Sequence, residues 1–355
     1  MSKFVKSFFQ KFFMFTQNVI KNQRISFFRD YCGLIYHIPK KIIHYKNELI
    51  IFQLTTFVGL KPIIPEDSRP PCTDNKKNIE AIITMAEKAL SEGQIQEAET
   101  ILLVGLKIAE NNDMEEEICQ IYDCLINISY SIGDFGNAQD LIHQIVSRLI
   151  RTGMKTDDDV IITFKLKLAR LYSHTANNEV AESTFKECIS LQKNKLDSGP
   201  LSDKTGILYI DLLFWYGIFL FQNEKFEEAL KNVELAYNYS NKIQGINSSQ
   251  ELVILSILAE ILCALAQYDQ AIVYLTNAIV IGKSINHPEL ALSYVLLGNI
   301  YLKKELIQEA KRWCEEGAKL SLQQRNIRGQ QASRVCLDKI KQAFDTKYEL
   351  NQESA

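Results

Sequence analysis

Ala259-Glu-Ile-Leu-Cys-Ala-Leu-Ala-Gln-Tyr-Asp-Gln-Ala271 holds the pattern that organises this chain: a small residue, a bulky one at Leu262, an aromatic at Tyr268 and a closing alanine. Working outward, the closing alanine recurs as Ala98, Ala138, Ala181, Ala229, Ala271 and Ala310, at intervals of 40, 43, 48, 42 and 39 residues. Three positions before it the residue is apolar in five copies (Ile95, Phe135, Phe226, Tyr268, Ile307), with Asn178 the exception. Twelve positions before it stands a small residue, Ala86, Ala169, Gly217, Ala259 or Gly298, and Ile126 departs from this rule. Tyr172, Leu220, Leu262 and Tyr301 occupy the bulky position, and turn-tolerant residues such as Gly93 and Gly133 lie five before the alanine. A fixed period of this kind marks a repeat array whose units bury their apolar faces against one another.

The units are helical. From Asn78 onward apolar residues recur at steps of three and four, and beyond Pro71 the only prolines are Pro200 and Pro288, each at an expected connection. Small residues at fixed places have a geometric reason: helix axes approach to roughly 8–10 Å only where a side chain is small and its large neighbours fill the groove. The pattern resembles the tetratricopeptide repeat, whose usual length is about 34 residues. The longer period here resembles the extended repeats of kinesin light chains. The extra residues must lengthen helices or connections, and Lys193-Asn-Lys-Leu-Asp-Ser-Gly-Pro200, in the longest interval, reads as a loop. The expected fold is all-α: a tetratricopeptide-type solenoid of helical hairpins, about six long repeats, closed by a capping helix over 326–348.

Charge divides the chain of 355 residues more sharply than its net −3 suggests. Residues 1–65 carry ten Lys/Arg and two Asp/Glu, a balance of +8, which leaves −11 for residues 66–355. No acid precedes Asp30, while Lys3, Lys6, Lys11, Lys21, Arg24 and Arg29 are basic. At about 100° per residue, Phe4, Phe8, Phe9, Phe12, Phe15 and Val19 share one half of a helical circle, and the lysines fall in the other. A basic amphipathic leader without acids suits mitochondrial import, with an amphipathic helix that stays on a membrane surface as the competing reading.

Leu49–Leu60 (LIIFQLTTFVGL) is uncharged and fenced by Glu48 and Lys61. Twelve residues fall short of the roughly 20 that a spanning helix needs, so a tilted anchor or interfacial segment competes with a buried helix of the fold. Pro62-Ile-Ile-Pro-Glu-Asp-Ser-Arg-Pro-Pro71 stops any helix. The expected organisation is a leader over 1–29, a membrane-proximal segment and linker over 30–77, a repeat domain over 78–348 and a polar tail over 349–355.

Catalytic and metal-binding patterns are missing from the sequence: there is no Gly-rich phosphate loop, HExxH, CxxC or G-x-S-x-G. The eight cysteines are scattered and read as small core or surface thiols, Cys119 and Cys124 diverging by about 140° on a helix. His143 and His174 read as surface or groove residues. Asp157, Asp158 and Asp159 read as a helix cap, Asp157 standing ahead of Val160, and His287-Pro288 as a helix opening with proline in its first turn. Basic stripes with interleaved aromatics are absent from 78–355, which argues against nucleic-acid binding. A clamp for a chaperone C-terminus needs Lys and Asn at the fifth and ninth positions of a first helix. The pairs here are Ile83/Glu87, Leu166/Arg170, Phe214/Ile218, Ser256/Glu260 and Val295/Asn299. No catalytic residue, cofactor or metal is expected, and the eleven small positions named above are structural.

Gly153-Met-Lys-Thr-Asp-Asp-Asp159 running into Ile161–Tyr172, Glu187-Cys-Ile-Ser190, Ile285-Asn-His-Pro-Glu-Leu290, the helix over 291–302 and the pair Glu309-Ala310 together resemble the mitochondrial tetratricopeptide repeat protein 19 family, over about 78–325. That resemblance implies a non-catalytic factor of the mitochondrial inner membrane. It would associate with respiratory complex III and promote clearance of fragments of the Rieske iron–sulfur subunit. It also implies a membrane-proximal leader, in keeping with membrane association through residues 1–61. The alternative is a cytosolic kinesin light-chain-like adaptor for peptide motifs or cargo, which predicts sustained heptads that the sequence lacks.

Overall fold

A computed structural model describes residues 73–198, 203–243 and 247–353. The leader, the Leu49–Leu60 segment and most of the expected linker lie outside the described residues. Among those described there are thirteen α-helices and no strand: α1 (Thr73–Ser91), α2 (Ile95–Asn111), α3 (Glu115–Ser131), α4 (Phe135–Arg151), α5 (Asp159–His174), α6 (Asn178–Ser198), α7 (Asp203–Gln222), α8 (Phe226–Ser240), α9 (Ser248–Ala264), α10 (Tyr268–Ser284), α11 (Leu290–Lys303), α12 (Ile307–Gln323) and α13 (Ile327–Glu353). They alternate as A-type (odd) and B-type (even) helices, six pairs and a final helix, which is the expected all-α solenoid. The chain divides into two compact units between Leu171 and Tyr172.

The repeating alanine marks a fixed point in the backbone. Every B-type helix begins three residues before it, so the apolar position of the pattern is the first helical residue. The alanine N–H makes the first helical hydrogen bond, to the residue just before the helix: Ala98 to the Gln94 carbonyl, Ala229 to Lys225 and Ala310 to Leu306, at 2.9–3.0 Å. The residue before the helix in turn donates its own N–H to the bulky position, as Asn177 does to Tyr172, Lys225 to Leu220, Gln267 to Leu262 and Leu306 to Tyr301. Between them the chain reverses through one left-handed residue, five before the alanine. Gly93 (φ 78°) and Gly133 (φ 76°) fill it in the first two hairpins, and Ala176, Glu224, Ala266 and Glu305 (φ 59–63°) in the others. Only glycine adopts this conformation without strain from its Cβ.

From the alanine a single stripe runs down each B-type helix at steps of four, three and four: Ala138, Ile142, Ile145 and Leu149 on α4, and Ala310, Cys314, Gly317 and Ser321 on α12, all buried. This is the spacing of one face of an α-helix turned into a core. Three A-type helices of the second unit, α7, α9 and α11, are buried all round over most of their length. Leu208–Phe221 of α7, Leu252–Cys263 of α9 and Leu290–Gly298 of α11 are continuously buried. α7 is long and apolar enough to cross a membrane by composition, and it runs through the core of its unit.

Five expectations change. α1 starts at Thr73, inside the expected linker, because the last helix-stopping proline is Pro71. Residues 193–198 lengthen α6 to 21 residues instead of forming a loop, since no glycine or proline interrupts the chain before Gly199. α13 spans Ile327–Glu353, past the expected end at 348, with no helix breaker in between. Cys314 and Cys336 form a disulfide with Cα atoms 6.2 Å apart, because α13 packs on α12 and brings together thiols 22 residues apart in sequence. At the Asp cluster the Val160 N–H is accepted by Asp158 at 2.9 Å, so Asp158, the residue just before α5, is the cap.

Candidate functional site: the inner faces of the A-type helices

Within each unit, successive A-type helices touch one another (α1 with α3; α7 with α9, α9 with α11, α11 with α13). Successive B-type helices among the described residues make no comparable contact. The A-type layer therefore lies on the inside of each unit's curve, where a partner would be held, and the fifth and ninth positions of its helices decide the chemistry.

All eleven small repeat positions are buried. Ala98, Ala138, Ala181, Ala229, Ala271, Ala310, Ala169 and Ala259 are wholly inaccessible and Ala86 nearly so. Gly217 and Gly298 are buried at helix crossings. A Cβ on Gly217 would stand 3.3 Å from the Ala229 carbonyl, so the small A-helix position and the marker alanine meet across the hairpin. Ile126, where the small residue is replaced, is also fully buried.

In the first unit the inner face is polar and partly open. Gln120, Asp123, Cys124 and Asn127 line one side of α3, all of intermediate exposure. Asp123 and Asn127 hold the fifth and ninth positions, a pair the sequence reading passed over because its repeat breaks the small-residue rule at Ile126. Lys167 of α5 reaches Asp123 Oδ1 at 2.6 Å and donates to Asn127 Oδ1 at 3.3 Å, while Asn127 Nδ2 donates to Asp123 Oδ2 at 3.1 Å. A carboxylate at the fifth position repels an incoming C-terminal carboxylate, so this triad is not a chaperone clamp. On the outer side, Arg148 of α4 binds Glu115 at 3.1 Å and Glu110 at 3.3 Å. Beside it a shallow cleft is lined by Tyr122, His143 and Arg151. His143 is exposed and His174 of intermediate exposure.

In the second unit the same register is closed. Phe214 and Ile218 of α7, Ser256 and Glu260 of α9 and Val295 of α11 are all buried, and only Asn299 is of intermediate exposure. Among the described residues, Ser256 Oγ and one oxygen of Glu260 are buried without a hydrogen-bond partner, and Ser293 Oγ on the neighbouring α11 is in the same state. Burial pushes the Glu260 carboxyl up to about 8, so it is protonated near neutrality.

The Ile285–Leu290 segment forms a second polar knot. α11 opens at Leu290, so Pro288 sits in a turn ahead of the helix, closed by the Leu290 N–H on the His287 carbonyl at 3.1 Å. His287 is buried and its Nδ1 accepts the Glu289 N–H at 3.2 Å. Gln324 donates to the His287 carbonyl at 3.2 Å. Asn326 donates to the Pro288 carbonyl at 2.9 Å and to Glu289 at 3.0 Å. These bonds dock the start of α13 onto the α10–α11 turn. Burial raises the Glu289 carboxyl to about 7, against the opposing Asn326 hydrogen bond and Arg328 charge, and lowers the His287 imidazole. The knot is a structural joint.

Compared with known proteins, the chain matches the tetratricopeptide repeat model at residues 163–195 and 291–324. Over 247 residues it is 29% identical to "Tetratricopeptide repeat protein 19, mitochondrial" of Mus musculus, covering 67% of this chain and 68% of that protein. The Homo sapiens protein of the same name is 29% identical over 248 residues, covering 67% and 65%. The chain thus spans about two thirds of the length of these relatives. Among solved structures, BtubC (BKLC) from P. vanneervenii superposes with a TM-score of 0.54 at 16% identity, covering 72% of this chain and 93% of that one, a likeness of fold.

Proposed function

From its relationship to mitochondrial tetratricopeptide repeat protein 19, we propose that this chain is a non-catalytic scaffold of the mitochondrial inner membrane. It docks on respiratory complex III and promotes removal of Rieske-subunit fragments. The observation that carries the reading is the likeness to these relatives, 29% identical over 247 and 248 residues, or 67% of this chain. The build supports it: an array of hairpins offers extended surface, with affinity drawn from a few buried anchors and a polar rim. The acid-free basic leader agrees with delivery to a negatively charged membrane, with residues 1–61 as the membrane-associated part.

The test is deletion of the gene followed by measurement of complex III activity and Rieske fragments in isolated mitochondria, with localisation of a C-terminally tagged chain. Reduced complex III activity, accumulated fragments and an inner-membrane chain lacking Met1 are expected. Normal complex III, or a cytosolic chain that retains Met1, would overturn the reading and favour the adaptor.

A further inference from the structure

We propose that the groove between α2 and α4, on the outer side of the first unit, binds an acidic peptide segment of a partner protein and holds one of its side-chain carboxylates at Arg151 and His143. The complex III reading does not assign this face, so the two stand or fall separately.

The groove follows from the two-layer build. α2 and α4 are successive B-type helices without close contact between them, so a channel runs over the A-type layer. Along it lies a cleft of about 620 Å³, within the range of sites that seat a small ligand or a few side chains. Tyr122 of α3, only 7% exposed, lines its base and donates its hydroxyl to Gln144 Oε1 at 3.5 Å. Glu110 of α2 stands on one side, and His143, Ser147 and Arg151 of α4 on the other.

His143, Ser147 and Arg151 follow one another at steps of four, so they form one stripe of α4, and all three are exposed hydrogen-bond donors. Arg151 donates Nε to the Ser147 carbonyl at 3.3 Å, and its two Nη amines bond to none of the described residues. The charge of the groove runs against that of its unit. Residues 73–171 carry seventeen Asp/Glu and ten Lys/Arg, a balance of −7. Here, however, Arg148 and Arg151 face the cleft, and the exposed Lys107 stands one turn before Glu110. Arg148 is taken up by Glu115 at 3.1 Å and Glu110 at 3.3 Å. It offsets the two acids that would repel an incoming carboxylate, which leaves Arg151 for the ligand. Leu103, 50% exposed, lies on the same side of α2 as Glu110, two turns back, and offers apolar contact to a neighbouring peptide residue.

The same features select the partner. Glu110 keeps 39% of its side chain exposed, so a singly charged carboxylate suits the cleft better than a doubly charged phosphate. An anionic bilayer is broad and flat, and would meet the negative balance of the whole unit. A narrow peptide reaches the cleft alone.

The full chain is titrated with a fluorescein-labelled peptide of leucine, serine and glutamate, followed by anisotropy, and with the same peptide carrying glutamine or lysine in place of glutamate. The glutamate peptide is expected to bind about ten-fold more tightly than the glutamine one, the effect of one charge-assisted hydrogen bond. Arg151→Gln should abolish that preference. Glu110→Gln should tighten glutamate-peptide binding by about three-fold by releasing Arg148. Lys231→Gln, on the exposed side of α8, should change neither. Circular dichroism shows that all variants are folded. No preference for the glutamate peptide, including no binding at all, would overturn the proposal, as would tighter binding of the lysine peptide or a preference that survives Arg151→Gln. Sedimentation with phosphatidylcholine vesicles, with and without phosphatidylserine, compares the unaltered chain with Arg151→Gln. Equal vesicle binding is expected, and loss with Arg151→Gln would make this face a membrane contact and defeat the peptide assignment.

Discussion

Gly298 of α11 faces the carbonyl of Ala310 in α12 so closely that a Cβ on the glycine would stand 3.1 Å from that oxygen and 3.2 Å from the Cys314 nitrogen. It would also collide with the Cys314 sulfur, which the bond to Cys336 holds in place. Gly298→Ala is therefore expected to lower stability by on the order of 1–3 kcal/mol by overpacking, although alanine favours a helix over glycine by about 0.5–1 kcal/mol. Urea denaturation checks the sign, and stabilisation would show that the crossing is looser than described.

The hairpin turns make the opposite prediction. Glu224, Ala266 and Glu305 hold φ near 60°, which costs a non-glycine residue about 1 kcal/mol or more. Replacing any one by glycine should stabilise the protein by about 0.5–1 kcal/mol, whereas Gly133→Ala at the equivalent turn should destabilise it by a similar amount. Thermal melts of the four variants separate the two signs.

At the wholly buried marker position, Ala271→Leu adds three heavy atoms where α10 meets its neighbours. A loss of roughly 1–3 kcal/mol is expected. An unchanged melting temperature would mean that the alanine is not a close contact.

Glu260 sets a pH dependence whose sign follows from its raised carboxyl. Its ordinary value is 4.5 and burial takes it to about 8, so folding strengthens its hold on the proton. Stability from this group is full below about pH 4.5 and falls as pH rises toward 8, because the unfolded chain ionises first. Glu260→Gln should leave stability at pH 5 little changed and raise it at pH 8 by on the order of 1–3 kcal/mol. Parallel stability curves for the two chains would contradict the assignment.

The disulfide ties the last helix to the array. Reduction, or Cys336→Ser, should lower stability by about 3 kcal/mol on the loop-closure relation and loosen α13 first. Hydrogen exchange over 327–345 with and without reductant measures it. Equal protection in both states would leave the bond without a structural role.

The architecture was legible in the primary structure because it rests on local, periodic causes. The small residues at Ala86, Gly217 and Ala271, the apolar start at Phe226 and the turn glycines at Gly93 and Gly133 each act within one hairpin. What escaped was set by neighbours distant in sequence. The Asp123–Asn127–Lys167 triad joins residues 40 apart, in a repeat whose departure at Ile126 hid its register. The Cys314–Cys336 bond carries no spacing signature. The left-handed turns at Ala176 and Glu224 were unreadable because neither residue advertises a positive φ, and the hairpin imposes it.

The sequence by itself determined the helices, their pairing, the points where backbones approach and the family likeness, since each follows from residue size and polarity repeated at helical spacing. Only the tertiary structure decided which inner face is open and which is closed. Ser256 and Asp123 occupy equivalent positions in the repeat and both are polar. One is buried and the other half-exposed because burial depends on what is packed against a helix, and residue order does not encode that locally.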